Sequence, residues 1–332
     1  MKIYTLTPNP SLDLSGHVPS ITVNEKNYVT RDHQDPGGNG INAARIATRL
    51  TQRISTPVIA MGFLGGEIGE QIAVFLKSEG VLQSFIHIKD NSRINVTVTN
   101  DHDHQQTRLS FPGPTVSTRE IKSLLNCVKG LRKPGLLILG GSLPHGCKSD
   151  FYPKLIEMGT AAGLGIIADL PTKHLKGALR TKNCKLLLIK PNLDELTGLF
   201  GKPLRTDHEI TQAALQLNRK SAIVCASLAE KGAIFAVNGS AWFAHAPHVT
   251  AHGTIGAGDS MVGAMATRLA HWKITSPGQI DDLHEPILSE ILKDVFTWGV
   301  AAGAATAMTE GTHLAEAATI SRLVKKIRVS KL

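Results

Sequence analysis

The sequence reads Gly135-Leu136-Leu137-Ile138-Leu139-Gly140 near its middle, with four aliphatic side chains between two glycines. A run this short and this apolar is typical of a strand that is buried on both faces of a sheet. A helical stretch follows at residues 149–162, and a second apolar strand at residues 165–169. This order predicts a strand–helix–strand unit with two parallel strands.

The same alternation extends outward over most of the 332 residues. Further strands are predicted at residues 3–7, 58–62, 186–190, 222–226 and 233–237, and further helices at residues 40–50, 67–79, 208–217 and 261–272. Short strands separated by helices indicate a mostly parallel sheet that helices cover on both faces. The sequence therefore predicts an α/β fold in three layers.

Two segments, residues 12–35 and 85–110, interrupt this alternation with extended stretches that contain no helical pattern. In the second segment the apolar residues Ile94, Val96 and Val98 are separated by polar ones, as in a half-buried strand. Ordinary surface hairpins would also fit this pattern. We favour a small β-sheet lid beside the main domain, because both segments flank a glycine-rich turn.

The composition favours a globular protein, with 42% hydrophobic and 19% charged residues. No apolar run approaches the ~20 residues that a membrane span needs, and the N-terminus has the pattern of a first strand. We therefore expect a cytoplasmic protein with no membrane partner. The four cysteines lie far apart and the histidines show no spacing typical of a metal site, so reduced thiols and no structural metal are expected. We expect one main domain over residues 1–320 and a basic C-terminal tail at residues 321–332.

The net charge of +9 suits an anionic ligand but does not identify one. Basic residues are scattered along the chain, except for a group at Lys325, Lys326, Arg328 and Lys331. Aromatic residues make up only 5% of the chain, so base-stacking surfaces are not expected. We expect no nucleic-acid partner.

The strongest chemical motif is Thr254-Ile255-Gly256-Ala257-Gly258-Asp259-Ser260, which leads into an apolar, alanine-rich helix. Glycines let the backbone turn sharply and approach a ligand, and the first amides of the helix then face that ligand. A carboxylate at this helix start can accept a proton from a hydroxyl while the amides hold a phosphoryl group. Taken alone, Asp259 could equally be a helix cap.

Three further motifs point to the same chemistry. A second glycine turn, Pro36-Gly37-Gly38-Asn39-Gly40-Ile41-Asn42, also begins a helix, and its Asn42 can bind sugar hydroxyls. Asp13 follows the first strand, where α/β sheets usually place ligand contacts. Asn192 and Glu195 follow a buried strand three positions apart, so they share a face and could orient a hydrated Mg²⁺. Taken alone, each motif could equally be a structural turn or a helix cap. Only their combination favours a ligand site.

In combination these motifs resemble those of the PfkB family of carbohydrate kinases, which have a ribokinase-like fold. The two family signatures correspond to Gly37-Gly38-Asn39-Gly40-Ile41-Asn42-Ala43-Ala44-Arg45 and to Gly256-Ala257-Gly258-Asp259-Ser260-Met261-Val262-Gly263. The stretch Gly140-Gly141-Ser142-Leu143-Pro144-His145-Gly146 and the stretch Lys190-Pro191-Asn192 also fit. The resemblance runs from residue 1 to about residue 320.

The resemblance implies phosphoryl transfer from ATP with Mg²⁺. Asp259 would be the catalytic base, and the anion-binding turn would comprise Gly256, Ala257 and Gly258. The sugar phosphate would contact Asp13, Gly38, Asn39, Asn42, Arg93 and Ser142. ATP would contact Lys190, Asn192, Ser227, Gly232, Thr254, Gly256 and Gly258. The metal would be held by Asn192 and Glu195.

Within the family, the opening Thr7-Pro8-Asn9-Pro10-Ser11-Leu12-Asp13 resembles the branch that phosphorylates sugar phosphates. Similarity to PfkB-type 6-phosphofructokinases implies conversion of fructose-6-phosphate into fructose-1,6-bisphosphate, with fructose-1-phosphate and tagatose-6-phosphate as alternative substrates. A kinase of unphosphorylated sugars is disfavoured by Arg93, and a non-catalytic sugar-phosphate sensor by the intact Asp259. The branch also implies a homodimer that is joined through its lids.

The chain departs from the family pattern at two positions. Tyr28 stands where the branch carries a basic residue that reaches the neighbouring subunit's sugar phosphate, with Lys26 and Arg31 close by in the sequence. The turn Ser227-Leu228-Ala229-Glu230-Lys231-Gly232 has Ala229 in place of a glycine. An alanine fits there only if its φ is negative, and the phosphate contact of this turn then differs from that of the family pattern.

Overall fold

The computed structural model describes residues 1–51, 56–103 and 105–332. Its strands are β1 (Lys2–Thr7), β2 (Ser11–Val18), β3 (Arg31–Gly37), β4 (Val58–Gly65), β5 (Leu82–Ile88), β6 (Arg93–Asn100), β7 (Gln106–Ser110), β8 (Gly135–Gly140), β9 (Gly165–Asp169), β10 (Leu186–Ile189), β11 (Ser221–Ser227), β12 (Gly232–Val237), β13 (Ser240–His245) and β14 (Arg328–Lys331). Its helices are α1 (Asn39–Thr51), α2 (Gly66–Ser78), α3 (Thr118–Lys129), α4 (Phe151–Ala161), α5 (Thr172–Ala178), α6 (Leu193–Phe200), α7 (Asp207–Leu217), α8 (Ala257–His271), α9 (Pro277–Asp281), α10 (Ile287–Ala307) and α11 (Ala317–Val324). None of the helices within these ranges has the length and apolar character required to cross a membrane.

A large sheet forms the centre of the molecule, in the order β14-β13-β12-β11-β10-β9-β8-β1-β4-β5. The seven strands from β11 to β5 in this order run parallel, and β12, β13 and β14 continue the sheet in antiparallel pairing. The predicted α/β fold with a mostly parallel sheet is confirmed. The carboxyl ends of the parallel strands share one edge, which is where such sheets hold ligands.

Helices cover both faces of this sheet. The side chains of β8 alternate between the two faces. Leu136 and Ile138 belong to the buried cluster that includes residues of α1, α8 and α10, and Leu137 and Leu139 to the cluster that includes residues of α3, α4 and α7. All four side chains are almost completely buried. A strand with apolar residues on both faces is the expected result of burial between two helical layers, so the quoted run predicts the three-layer fold correctly.

Helices α1 and α8 lie side by side on one face of the sheet with almost no space between their backbones. A Cβ atom added at Gly263 would lie only 2.5 Å from the carbonyl oxygen of Ala43. Any side chain at Gly263 would therefore push the two helices apart. The contact matters for the site because each of these helices begins at one of the two glycine turns.

The small sheet has the order β3-β2-β6-β7. Strand β2 runs antiparallel to β3 and parallel to β6, and β6 runs antiparallel to β7. Leu14 and Ile94 pack one face of this lid against the main core. The second predicted segment begins too early, because residues 85–88 belong to β5 of the large sheet.

The end of the chain belongs to the folded domain. Within the stretch that the sequence suggests as a basic tail, α11 continues to Val324 and β14 pairs with β13 at the edge of the large sheet. Arg328 and Lys331 therefore sit on a strand that is bonded to the sheet, and Lys331 also lies 5.5 Å from the ring centre of Trp242. Strand β14 covers the edge of β13, and its basic side chains place charge on the edge that is now outermost.

A buried ion pair joins the lid to the main domain. The Arg45 side chain on α1 is 3% exposed, and its Nη2 lies 2.8 Å from Oδ1 of Asp35 on β3. Its Nε donates to Glu79 at the end of α2 over 2.8 Å. The other carboxylate oxygen of Asp35 accepts a hydrogen bond from Thr312 over 2.7 Å, in the loop after α10. Four separate parts of the chain therefore meet at this pair.

Candidate active site

The α8 turn is shaped for an anion. Gly256 caps the helix with a φ of +75°, a left-handed conformation that favours glycine. A Cβ atom there would lie 2.7 Å from the Leu314 side chain. The turn therefore lets the helix begin at Ala257 with its first amides uncovered by a capping side chain, and such amides attract negative charge.

Asp259 lies in the first turn of α8. Its Oδ2 accepts a hydrogen bond of 2.8 Å from Nδ2 of Asn42, which lies near the start of α1. The two glycine turns that the sequence singles out are thus joined by one hydrogen bond. Burial and the nearby Asp169 raise the pKa of the Asp259 carboxyl to about 7, although Asn42 and Lys190 oppose that rise. A carboxyl with this pKa can gain and lose a proton near neutral pH.

Lys190 places a positive charge beside the same turn. Its Nζ lies 3.1 Å from Oδ1 of Asp169, and both side chains are almost fully buried. A Cβ atom on Gly258 would lie 2.9 Å from this nitrogen, so the ammonium group sits against the start of α8. Burial alone would lower the pKa of Lys190, but the attraction of Asp169 and Glu195 outweighs it and raises the pKa. Lys190 therefore remains charged.

Asp169 is a site residue that the sequence analysis missed. It ends β9, and its second oxygen lies 3.5 Å from Nδ2 of Asn39. One carboxylate thus contacts both a predicted ATP residue and a predicted sugar residue. The sequence did contain a signal for this residue, because Asp169 ends the strand predicted at residues 165–169, and ligand sites lie at the carboxyl ends of parallel strands.

The first glycine turn packs tightly on β1. Gly38 has a φ of +121°, and a Cβ atom at Gly40 would lie 2.6 Å from Oγ1 of Thr7. The amide of Asn42 donates to the carbonyl of Gly38 over 2.9 Å, which closes the first turn of α1. These contacts fix the direction in which Asn42 points toward Asp259.

The lid contributes a polar cluster around Asp13. Its Oδ1 accepts hydrogen bonds from Ser11 over 2.6 Å and from Asn95 over 2.9 Å. Its Oδ2 faces Gly37, where a Cβ atom would lie 2.0 Å away. Asp13 is therefore held in place beside the first glycine turn, and Asn95 is a further residue that the sequence analysis did not assign to the site.

Arg93 has unused hydrogen-bonding capacity. Its Nη1 donates to the carbonyl of Phe111 over a long 3.4 Å, and its buried Nε finds no hydrogen-bond acceptor among the described residues. Burial lowers the pKa of Arg93, while the negative charge of Asp13 counteracts that effect. An anion could therefore satisfy this guanidinium better than the present contacts do.

An open cavity of about 910 Å³ lies beside Arg93 and extends between the lid and α2. Its walls include Leu14, Ile68 and Lys89, but neither Asp259 nor Lys190. The cavity therefore lies along the lid and does not reach the α8 turn, where the raised pKa of Asp259 and the charge of Lys190 are found.

Ser142 lies in the loop after β8. Its hydroxyl accepts a hydrogen bond of 3.1 Å from Nδ2 of Asn9, which belongs to the loop after β1. The neighbouring Gly141 has a φ of +98°, and its carbonyl accepts a 2.7 Å hydrogen bond from the buried Tyr152 hydroxyl. The loop is therefore fixed from both sides, and Asn9 is a positioning residue that sequence reasoning quoted without assigning a role.

Asn192 and Glu195 form a capping box at the start of α6. Oδ1 of Asn192 accepts from the Glu195 amide over 2.8 Å, and Oε2 of Glu195 accepts from the Asn192 amide over 2.9 Å. Their spacing thus has a structural reason. Burial raises the pKa of Glu195, and its Oε1 takes no part in the capping pair. That oxygen is the atom of this pair best suited to a metal-bound water.

Ser227 and Gly232 bound the turn between β11 and β12. Ser227 bridges to Asn192, and its amide donates to the carbonyl of Pro191 over 3.0 Å. Gly232 has a φ of +114°, and a Cβ atom there would lie 2.1 Å from the carbonyl oxygen of Ala244. Thr254 is exposed before the α8 turn. The assigned ATP residues thus follow β10 and β11 or lie around the start of α8.

Ala229 does not meet the condition for an alanine in this turn. Its φ is +50°, not negative, so an alanine occupies a left-handed conformation in this turn. The clash between Cβ and the carbonyl oxygen makes that conformation unfavourable for any residue other than glycine. The condition of a negative φ is therefore not met, and the turn keeps the backbone shape that a glycine would favour.

Residues 10–318 match the model of the pfkB family carbohydrate kinases. The chain is 31% identical to 1-phosphofructokinase of Bacillus subtilis, over 99% of this chain and 100% of that protein. It is 31% identical to ATP-dependent 6-phosphofructokinase isozyme 2 of Escherichia coli, over 95% of each. A crystal structure of phosphofructokinase-2 from Escherichia coli superposes with a TM-score of 0.87 at 30% identity, covering 98% of this chain and 99% of that one.

The fold, the two glycine turns and the carboxylate between them define an α/β enzyme that transfers a phosphoryl group to an alcohol. The chain belongs to the pfkB family of carbohydrate kinases and has the ribokinase-like fold. Over 81–99% of its length it is similar to kinases that are named for different sugar phosphates, among them a tagatose-6-phosphate kinase of Staphylococcus epidermidis that is 30% identical. ATP is the phosphoryl donor expected for this family, together with a divalent metal.

Replacing Ala229 with glycine should stabilise the protein. The left-handed alanine costs about 1–2 kcal/mol, and the greater freedom of glycine in the unfolded chain offsets roughly half of that. We expect Ala229→Gly to raise the free energy of unfolding in urea by about 1 kcal/mol. The matched control is Ala162→Gly, because Ala162 has a φ of −76° and its replacement should lower stability. A lower free energy of unfolding for both variants would contradict the strain at Ala229.

Proposed function

We propose that the protein phosphorylates a ketohexose phosphate with ATP, converting fructose-6-phosphate into fructose-1,6-bisphosphate. The observation that carries the choice of a phosphorylated sugar is Arg93, a half-buried guanidinium beside Asp13 whose Nε is unsatisfied by the described residues. An unmet buried donor costs roughly 1–3 kcal/mol, and a phosphate would meet it with a charged hydrogen bond. Fructose-1-phosphate and tagatose-6-phosphate are the alternative acceptors of the same class.

The proposed reaction relies on positioning and on charge. Asp259 accepts the proton of the sugar hydroxyl. Burial raises the pKa of this carboxyl, and Asn42 holds it with a hydrogen bond. The amides at the start of α8, from Ala257 to Asp259, and the ammonium of Lys190 hold the transferring phosphoryl group. Mg²⁺ neutralises phosphate oxygens when bound, and we assign Glu195 and Asn192 to hold it through water. The lid excludes water from the sugar.

A sensor without catalysis is the competing interpretation from a different class. It would keep the sugar contacts but have no need for a carboxyl with a pKa near neutrality at the phosphate-binding turn. The pKa of about 7 for Asp259 therefore favours the enzyme. An assay of ATP consumption in the presence of sugar phosphates separates the two functions.

Asp259→Asn should keep the fold and the ability to bind ligands but lose turnover by a factor on the order of 10²–10⁴, because a general base is removed. In the wild type, kcat should fall as the pH drops below about 7, since the base must be ionised.

The raised pKa of Asp259 also affects the stability of the protein. In the unfolded chain the Asp259 carboxyl ionises near its ordinary pKa of 3.8, whereas in the folded protein it ionises only near pH 7. The stability of the folded state should therefore fall as the pH rises from about 3.8 to about 7.

The variant should therefore lose less stability than the wild type over that pH range, which urea unfolding at several pH values measures. The control is Asp207→Asn, which alters an exposed aspartate in the first turn of another helix and should leave kcat unchanged. A kcat for Asp259→Asn within a few-fold of the wild-type value would exclude Asp259 as the base.

Arg93→Ala tests the identity of the substrate. Loss of a charged hydrogen bond to phosphate costs roughly 1.5–3 kcal/mol, so KM for the preferred sugar phosphate should rise about ten-fold or more while KM for ATP changes little. The assay compares fructose-6-phosphate, fructose-1-phosphate, tagatose-6-phosphate and unphosphorylated fructose. Arg119→Ala, at an exposed arginine on α3, is the control. Equal changes in both KM values, or a preference for fructose itself, would refute the phosphate role.

The lid surface supports a homodimer. Ten large hydrophobic side chains are exposed within the described ranges, and six of them lie on or directly after the lid strands and their connecting loop: Ile21, Val23, Tyr28, Val29, Leu109 and Phe111. Exposed apolar groups concentrated on one small sheet and its connecting loop are typical of an interaction surface. We propose that the lids of two copies pair, and that Lys26, Tyr28 and Arg31 reach toward the neighbouring sugar site.

Analytical ultracentrifugation at micromolar concentration tests the dimer. The wild type should sediment at twice the mass of the 35.5 kDa chain. Val23→Glu combined with Tyr28→Glu should sediment as a monomer, because the carboxylates place charge in an apolar contact. The control combines Val74→Glu with Leu82→Glu, at two exposed apolar positions outside the lid. An active wild-type monomer, or a lid variant that stays dimeric, would contradict the proposal.

A further inference from the structure

Three side chains with metal-binding atoms converge at the base of the lid, outside the site described above. His33 and Asp35 lie on β3, and His313 lies in the loop after α10. Nε2 of His33 lies 3.0 Å from Oδ2 of Asp35, and Nδ1 of His313 lies 4.0 Å from the same oxygen. One ligand atom from each residue falls within 4.8 Å of the other two. No other group of this kind occurs in the part of the chain that the structure describes.

We propose that His33, Asp35 and His313 bind a transition-metal ion of the Zn²⁺ class. Ligand atoms about 2.0–2.2 Å from a tetrahedral zinc ion are separated from one another by roughly 3.3 Å. The present separations lie on both sides of that value, so small side-chain rotations would complete the geometry. The two imidazoles are about half exposed, which leaves room for water as a fourth ligand.

The arrangement of the two rings is explained by a shared ligand and not by a hydrogen bond alone. A hydrogen bond between His33 and Asp35 would account for the 3.0 Å contact. It would not account for His313, whose ring centre lies 3.8 Å from that of His33 with the two planes tilted by 34°, while its Nδ1 is too far from Asp35 for a hydrogen bond. A metal ion gives both nitrogens a common partner.

The surroundings of Asp35 meet the requirements of a metal ligand. Ligating carboxylates are usually held by further hydrogen bonds, and here Arg45 and Thr312 hold the two oxygens of Asp35 over 2.8 Å and 2.7 Å. The positive charge of Arg45 would repel a cation. Glu79 pairs with both Arg45 and Arg49, and Glu316 also pairs with Arg49, so these two carboxylates offset the two arginines.

The ligand atoms of this cluster do not favour Mg²⁺, the metal proposed above for phosphoryl transfer. Imidazole nitrogens suit Zn²⁺, Co²⁺ and Ni²⁺, whereas Mg²⁺ prefers oxygen ligands in an octahedron. The cluster is therefore distinct in kind from the Asn192 and Glu195 position, and millimolar Mg²⁺ should not displace the bound ion.

The place of the cluster in the fold gives the ion a role. Asp35 lies two residues before Gly37 on the lid strand, and His313 precedes Leu314, which packs against Gly256. A bound ion would therefore clamp the lid strand to the loop that supports the other glycine turn. Because a lid must move in every catalytic cycle, we expect the clamp to slow turnover.

Binding can be measured without any assay of activity. Tag-free, full-length protein is treated with a chelator, and Zn²⁺ is then titrated in by calorimetry in the presence of millimolar Mg²⁺. We expect one equivalent to bind with micromolar affinity or better. Co²⁺ should give the visible absorption of a site with low coordination number. Replacing both histidines, as His33→Ala with His313→Ala, should weaken binding by more than about 100-fold, since even indirect supports of a metal site contribute 10–100-fold.

The control removes two exposed histidines elsewhere, as His87→Ala with His208→Ala, and should bind Zn²⁺ like the wild type. His33→Gln is a second variant that keeps a hydrogen-bonding side chain toward Asp35, and circular dichroism verifies that each variant is folded. Zn²⁺ should slow the wild-type enzyme and leave the double variant unaffected. Failure of the wild type to bind Zn²⁺, or unchanged binding by folded His33 and His313 variants, would overturn the proposal.

Discussion

The buried pair of Arg45 and Asp35 is the contact on which the arrangement of the site depends. It joins the lid strand β3 to α1, and through Glu79 and Thr312 it also holds the end of α2 and the loop after α10. Removing one member of such a pair leaves an unpaired buried charge and costs about 3–5 kcal/mol. Since Asp35 precedes the first glycine turn and Arg45 follows it, the pair fixes that turn, and with it Asn42, relative to the rest of the domain.

The candidate site around the start of α8 is arranged by charge more than by shape. Asp169 keeps the buried ammonium group of Lys190 charged, and the same carboxylate raises the pKa of the Asp259 carboxyl. One residue at the end of a parallel strand thereby affects both a cation suited to phosphate and a carboxyl suited to proton transfer. This division of roles agrees with phosphoryl transfer, in which a protein mainly positions reactants and stabilises developing charge.

The sequence predicted those features that depend on neighbouring residues. Apolar runs such as Leu136–Leu139 revealed the buried strands, and glycines before a helix revealed the two turns. Features that depend on distant contacts were missed. Arg328–Lys331 is polar and reads as a tail, because its strand is specified by pairing with β13. His33 and His313 lie far apart in the sequence, so their proximity had no local signal. The positive φ of Ala229 also had no local signal, because the surrounding turn imposes it.

The near-contact of α1 and α8 at Gly263 has a consequence for dynamics. Two helices whose backbones touch can neither slide nor tilt independently without opening a void, and closely packed interiors resist such deformation. We therefore expect the two glycine turns to move together in picosecond-to-nanosecond fluctuations. The slower motions that admit and release ligands, in microseconds to milliseconds, are then left to the lid strands and their connecting segments. The groups of the candidate site would keep their mutual distances while the molecule opens.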